Sequence, residues 1–136
     1  MADTAAPDEA GIVTKLSSRS VAGTVARLTG ILAGKGMKVF AVIDQAAEAR
    51  AVGLELRETT LVIFGSPAGG TPVMVAAPLS ALDLPLKVLV WDDGGQTKVS
   101  YYAPATLASR YDLGADLAAR LAGVDPLTDA LVAPSA

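Results

Sequence analysis

The chain has 136 residues, the size of one domain, with a net charge of −3 and 51% hydrophobic residues, although 26 residues are alanine. It contains no cysteine and no histidine, which excludes disulfides, thiol nucleophiles, Ser-His-Asp triads and the usual zinc, iron–sulfur and haem sites. Its 11 lysines and arginines are scattered singly, so nucleic-acid binding is not expected. No cofactor is expected either.

The first ten residues, MADTAAPDEA, lack both a basic segment and an apolar core. They predict a flexible tail over residues 1–10, no signal peptide and a cytoplasmic protein. A window of 24 residues without charge, Thr59–Leu82, is long enough to cross a bilayer. It contains Pro67, Pro72 and Pro78, which break helices, so the window predicts a strand and turns and not a membrane span.

The first half of the chain alternates strands and helices. The apolar spacing predicts a strand over Gly11–Ser17, a helix capped by Ser20 and ending at Lys35-Gly36, a strand over Met37–Ile43, a helix over Gln45–Val52 capped by Asp44, and a strand over Thr59–Phe64.

The glycine-rich stretch Gly65–Met74, GSPAGGTPVM, has the glycine spacing of a Walker A loop. That loop needs a lysine after its last glycine, and Thr71 stands there. The stretch instead predicts a turn, followed by Thr71 as the N-cap and Pro72 as the first residue of a helix that continues over Val73–Ala77. The alternative is that this helix N-terminus holds a small anion.

The second half contains the clearest turn signal. Gly94-Gly95 lies between the strands Leu86–Trp91 and Thr97–Tyr102 and predicts a β-hairpin in which Val90 faces Val99. The pairing places Leu89, Trp91 and Tyr102 on one face of the hairpin. Three helices are predicted after it: Pro104–Tyr111, Asp116–Gly123, and a piece capped by Asp125-Pro126 that runs to Leu131.

Several short motifs between Ala41 and Tyr111 occur together. They are Ile43-Asp44, Gly53-Leu54-x-Leu56, Phe64-Gly65-x-Pro67, Gly70-Thr71-Pro72-x-Met74, Asp83-Leu84-Pro85-Leu86-Lys87, and Tyr102 followed by Pro104. This set resembles domain-of-unknown-function family 302, a group of small, mostly prokaryotic proteins. The resemblance, which covers roughly half of the chain, implies an α+β fold like that of the TATA-binding protein, with a curved, mainly antiparallel sheet and helices on one face. It implies no established activity. The length of the chain and the absence of a linker or repeat predict that residues 11–136 form a single domain.

The chain departs from this family pattern at two positions. Family members often have histidine after the aspartate and after the arginine that ends the motif region, where this chain has Gln45 and Tyr111. The departure argues against a metal, haem or acid–base role built on those histidines.

Two classes of function remain open, a binding or assembly module and an enzyme. Asp44 is a helix cap or a polar group in a cleft, and Asp83 fixes a turn or pairs with Lys87 or a ligand hydroxyl. The candidate ligand-binding residues are Asp44, Gln45, Gly65, Ser66, Gly70, Thr71, Asp83, Lys87 and Tyr102. The enzyme alternative uses Asp44, Asp83, Lys87 or Tyr102 as acid–base groups around the Gly65–Thr71 turn, but no paired-carboxylate spacing or nucleophile motif supports it.

The predicted sheet offers apolar side chains in both directions, and helices cover only one of its faces. The face carrying Leu89, Trp91 and Tyr102 would leave an apolar patch larger than monomers usually tolerate. The sequence therefore predicts that a second copy of the chain or a small ligand covers this face, with a homodimer as the expected partner state.

Overall fold

Five antiparallel strands form one sheet in the computed structural model, which describes residues 6–134. The strands are β1 (Ile12–Ser17), β2 (Lys38–Asp44), β3 (Thr59–Gly65), β4 (Leu86–Asp93) and β5 (Gln96–Tyr102). The helices are α1 (Val21–Gly34), α2 (Gln45–Ala51), α3 (Pro67–Ala76), α4 (Pro104–Arg110), α5 (Ala115–Ala119) and α6 (Val124–Val132), with a 3₁₀ helix over Pro78–Leu82. The predicted α+β class with an antiparallel sheet is confirmed.

The strands lie in the order β1–β5–β4–β3–β2, so the first strand pairs with the last. The hairpin prediction is confirmed. Gly94 and Gly95 join β4 to β5 with φ of +59° and +98°, and Val90 pairs with Val99. Glycine is favoured at both positions because a two-residue turn of this kind needs positive φ twice.

The core lies on one face of the sheet, which we call the inner face. Helices α1 and α6 cover this face. Leu28 and Leu32 of α1, four residues apart, are fully buried against Val62 and Val88. Ser20 caps α1 as predicted, since its Oγ accepts a hydrogen bond from the Gly23 amide at 2.9 Å. Burying each leucine contributes about 1.5–3 kcal/mol.

The opposite face, which we call the outer face, is also apolar. Leu61 of β3 and Leu89 of β4 are paired neighbours on it, and both are only half-buried. Trp91 is half-buried as well, and Tyr102 is 42% exposed. The predicted separation of the two faces of the hairpin is therefore observed.

Helix α3 begins earlier than the sequence indicated, and the prediction of Thr71 as an N-cap is wrong. Ser66 is the cap, with its Oγ accepting from the Gly69 amide at 3.3 Å. A serine or threonine followed by proline favours a helix start, and the chain has two such pairs five residues apart, Ser66-Pro67 and Thr71-Pro72. The helix begins at the first pair. Pro72 then lies inside the helix.

The C-terminal helices also differ from the prediction. Helix α5 ends at Ala119, and α6 already begins at Val124, with Asp125 in its first turn. Asp125 is not the cap that Asp125-Pro126 suggested, because its carboxylate accepts a hydrogen bond from the Tyr101 hydroxyl. A tertiary contact with β5 thus replaces the local cap.

Only part of the predicted N-terminal tail can be compared, because residues 1–5 lie outside the described residues. In residues 6–10, Asp8 closes a turn. Its Oδ1 accepts hydrogen bonds from the amides of Ala10 and Ile12, both at 2.9 Å.

Candidate functional site

An apolar cavity of about 340 Å³ lies beside the start of α3. Its wall includes residues of the segment 65–71, which we call the 65–71 stretch, Met37 and Phe40 at β2, and Leu84–Leu86 at the start of β4. Met74 and Leu121 complete its apolar lining. Among the described residues that line the cavity, Arg120 is the single charged one.

Local sequence explains why this space stays open. The cap at Ser66 and the ring of Pro67 fix the first turn of α3 at the edge of the cavity. Gly70 follows without a side chain, and a Cβ placed there would lie 3.9 Å from the terminal methyl carbon of Met74. A larger side chain at residue 70 would therefore extend toward Met74 and reduce the cavity.

Four of the predicted ligand-binding residues come together at this cavity: Gly65, Ser66, Gly70 and Thr71 all line it. Asp44 and Gln45 are not in its described lining. Asp44 caps α2, with its Oδ1 accepting from the Ala47 amide at 2.9 Å. Of the two roles considered for Asp44, the geometry favours the cap.

Three other predicted residues form a separate group. Asp83, Lys87 and Tyr102 border a pocket of only about 20 Å³, which is room for about one water molecule. Asp83 is tied to α4, because its Oδ2 accepts from Arg110 Nη1 at 2.8 Å and from the Tyr111 hydroxyl. The same guanidinium lies 5.0 Å from the ring centre of Tyr102.

The neighbours of Asp83 keep its carboxyl group ionised. Burial raises the pKa of Asp83, but the hydrogen bond from Tyr111 and the neighbouring Arg110 outweigh it, and the pKa lies below its usual value. The hydrogen bond to Asp83 also raises the pKa of Tyr111. At neutral pH the Asp83 side chain is therefore an ionised carboxylate that accepts hydrogen bonds from two donors. This arrangement favours a structural role for Asp83 over proton transfer.

The predicted interface residues lie together on the outer face. A shallow depression of about 200 Å³ has Leu61, Leu89, Lys87 and Tyr102 in its lining. Beside it, Trp91 donates from Nε1 to Ser100 Oγ at 3.0 Å. The indole is thus oriented by β5, and its N–H group has a hydrogen-bond acceptor within the chain.

One cluster of polar residues was missed by the sequence analysis. Lys15 is 6% exposed on the inner face, and its ammonium contacts Asp129 Oδ1 at 2.8 Å and Thr128 Oγ1 at 2.6 Å. Burial is the larger reason that the pKa of Tyr101 in this cluster is raised, and its hydrogen bond to Asp125 is the second. The signal available was the position of Lys15 two residues after Val13, which places both side chains on the same face of β1.

The cavity lining was predicted only in part. Met37, Leu84–Leu86 and Arg120 approach the 65–71 stretch from three other segments, and no local pattern connects them. In residues 6–134, no helix is long and apolar enough to cross a membrane. The same residues contain no group of three or more metal-ligating side chains that could hold an ion.

Both a family model and a solved structure are similar to this chain. The model of the family described as "Domain of unknown function DUF302" matches residues 13–129. The crystal structure of an uncharacterized conserved DUF302 protein from Bacillus stearothermophilus superposes with a TM-score of 0.76, covering 90% of this chain and 95% of that one. The two are 20% identical, so this likeness shows the shared fold.

Curated relatives with higher identity carry a different name. A protein named fluoride-specific ion channel FluC 1 from Brucella suis biovar 1 (strain 1330) is 41% identical over 107 residues, which are 78% of this chain and 42% of the relative. FluC 1 of Brucella abortus biovar 1 (strain 9-941) is also 41% identical over 107 residues, covering 78% of this chain and 40% of that protein. The chain spans about two-fifths of the length of these relatives.

Proposed function

The chain belongs to the DUF302 family, and we propose that it is a non-catalytic module that binds a small, largely apolar ligand in the cavity beside the 65–71 stretch. The observation that carries this proposal is the cavity itself. Its volume of about 340 Å³ lies in the range of small-molecule sites, ~300–1,000 Å³, and such sites are mostly apolar with a few polar groups. Ser66, Thr71 and Arg120 are the polar side chains in its described lining.

The enzyme alternative has less support. It requires acid–base groups around the 65–71 stretch, but Asp44 caps α2 and Asp83 is held by Arg110 and Tyr111. Lys87 and Tyr102 border the small pocket next to Asp83, and neither is in the described lining of the cavity.

A homodimer through the outer face is a second part of the proposal. It is supported by the half-buried side chains Leu61, Leu89 and Trp91, which lie on the opposite face of the sheet from the described core. Two-fold pairing covers such a face with one self-complementary surface.

The names of the Brucella relatives suggest a context for this module. In those proteins a segment like this chain is part of a longer chain named for fluoride conduction. We extend the proposal to a ligand-binding module that acts together with an ion-transport protein, and we assign no fluoride site to this chain. A cytoplasmic location remains part of the proposal.

Filling the cavity tests the proposed function. We expect 1-octanol, a small neutral apolar probe, to bind the wild-type protein in a calorimetric titration. Gly70→Leu should weaken this binding by at least about tenfold, a change of about 1.4 kcal/mol, because the new side chain extends toward Met74.

The matched control is Gly30→Leu. Gly30 is also a helical glycine, in α1, with open space around the position of a Cβ. Replacing a helical glycine stabilises a helix by about 0.5–1 kcal/mol, so both variants should unfold at or above the wild-type temperature. Equal octanol binding by the two variants, or none by the wild type, would contradict the proposed site.

A further inference from the structure

The charged side chain in the described lining of the cavity, Arg120, is positive. Arg120 is exposed and lines the cavity, and within residues 6–134 its side chain forms no ion pair, not even with Asp116 four positions earlier. Other arginines are differently placed. Arg27 donates to the Leu131 carbonyl at 3.2 Å, and Arg110 pairs with Asp83 at 2.8 Å.

The remaining lining has no acidic group to compensate this cation. The described residues around the cavity are aliphatic, aromatic or sulfur-containing, apart from small and hydroxyl-bearing residues of the 65–71 stretch. A ligand that placed a negative group beside Arg120 would gain a charge-assisted hydrogen bond, and the planar guanidinium can bind a carboxylate through two parallel N–H groups. The apolar remainder of such a ligand would leave water and contact Met37, Met74 and Leu121.

We infer that the ligand of this cavity is a small amphipathic anion, with an apolar body inside the cavity and a carboxylate or similar anionic group paired with Arg120. This inference rests on the proposed ligand-binding function and adds the chemical class of the ligand. Arg120 selects the head group, and the apolar wall selects the body.

Two probes that differ only in the head group test the inference. Octanoate and octanamide have the same alkyl chain, and only octanoate is charged at neutral pH. In calorimetric titrations at low salt, octanoate should bind the wild-type protein about tenfold more tightly than octanamide. Added salt should reduce this preference, since the ion pair lies at an exposed side chain.

The variant that identifies the residue is Arg120→Gln. It should weaken octanoate about tenfold and leave octanamide unchanged, so that the two probes bind alike. Arg57→Gln removes an arginine that does not line the cavity, and it should leave both affinities unchanged.

The outcomes separate this inference from the proposed function. If the two probes bind the wild-type protein equally, and Gly70→Leu weakens both, the cavity binds ligands but the anionic head group is wrong. If octanoate is preferred equally by Arg120→Gln and the wild type, the charge is recognised elsewhere and the inference fails. If neither probe binds, the proposed function and the inference both fail.

Discussion

Replacing Lys15 by methionine is expected to lower the free energy of unfolding by about 2 kcal/mol. This is below the ~3–5 kcal/mol of breaking a fully buried ion pair, because the Asp129 side chain is 32% exposed. Asp129 would keep its charge and lose the ammonium that lies 2.8 Å from its Oδ1. That oxygen is buried, and in the described part of the chain no aligned hydrogen-bond donor faces it. The positive charge of Lys15 therefore compensates Asp129 Oδ1 for the water that burial removes from it. Methionine keeps most of the side-chain volume, so little of the loss would come from packing.

The matched control is Lys98→Met. Lys98 also pairs with an aspartate, Asp93 at 2.7 Å. Its ammonium lies 5.5 Å from the ring centre of Trp91, as that of Lys15 lies 5.3 Å from the ring centre of Tyr101. The Lys98 side chain is 27% exposed, however, whereas that of Lys15 is 5% exposed. Exposed pairs contribute little, so urea unfolding should show a much smaller loss for Lys98→Met. Equal losses for the two variants would show that the inner-face pair is not special.

Changing Leu89 and Trp91 together to lysine is expected to convert a dimer into a monomer. Both side chains are half-buried on the outer face, so the proposed pairing would place four new charges in one interface. Sedimentation velocity at micromolar concentration should show a dimer for the wild type and a folded monomer for the double variant. Circular dichroism would report whether the variant is folded, and Leu89→Lys alone keeps the hydrogen bond from Trp91 to Ser100.

A second double variant controls for the mere addition of charge. Val75 and Leu79 are 77% and 71% exposed and lie in α3 and the following 3₁₀ helix, not in the strands that carry Leu89 and Trp91. Val75→Lys with Leu79→Lys should leave the dimer intact. A wild-type protein that sediments as a monomer would contradict the proposed homodimer.

The hairpin and the first helix could be predicted because their signals are local. Gly94-Gly95 determines both the turn and the register of β4 against β5. The leucines of α1 repeat at helical spacing, and one face of the helix is buried. In each case one short segment contains both the signal and the structure that it predicts.

The start of α3 could not be settled from the sequence, because two serine- or threonine-proline pairs compete within one segment. Local rules favour both Ser66-Pro67 and Thr71-Pro72 as helix starts. The two glycines between them indicated a turn, yet the helix continues through Gly69 and Gly70. Tertiary packing, including the complete burial of Val73, accompanies the longer helix.

The residues of the candidate site that lie in one short segment were predicted, and the contacts between distant segments were missed. Gly65, Ser66, Gly70 and Thr71 are close in the sequence and share the cavity. Asp83 was expected to fix a turn or to pair with Lys87 or a ligand hydroxyl, but the structure pairs its carboxylate with Arg110 and Tyr111, 27 and 28 positions away. The Lys15–Thr128 contact joins residues 113 positions apart, a separation that no pattern in a single sequence reveals.

The methionine methyl groups provide the most direct measurement of ligand binding in the cavity. The chain has three methionines, and two of them, Met37 and Met74, line the cavity from different elements. With ¹³C-labelled methionine methyl groups, titration with 1-octanol should shift both resonances along one saturating curve in the wild type, and much less in Gly70→Leu. If both resonances stay in place while 1-octanol demonstrably binds the protein, the ligand lies elsewhere and the proposed site is wrong.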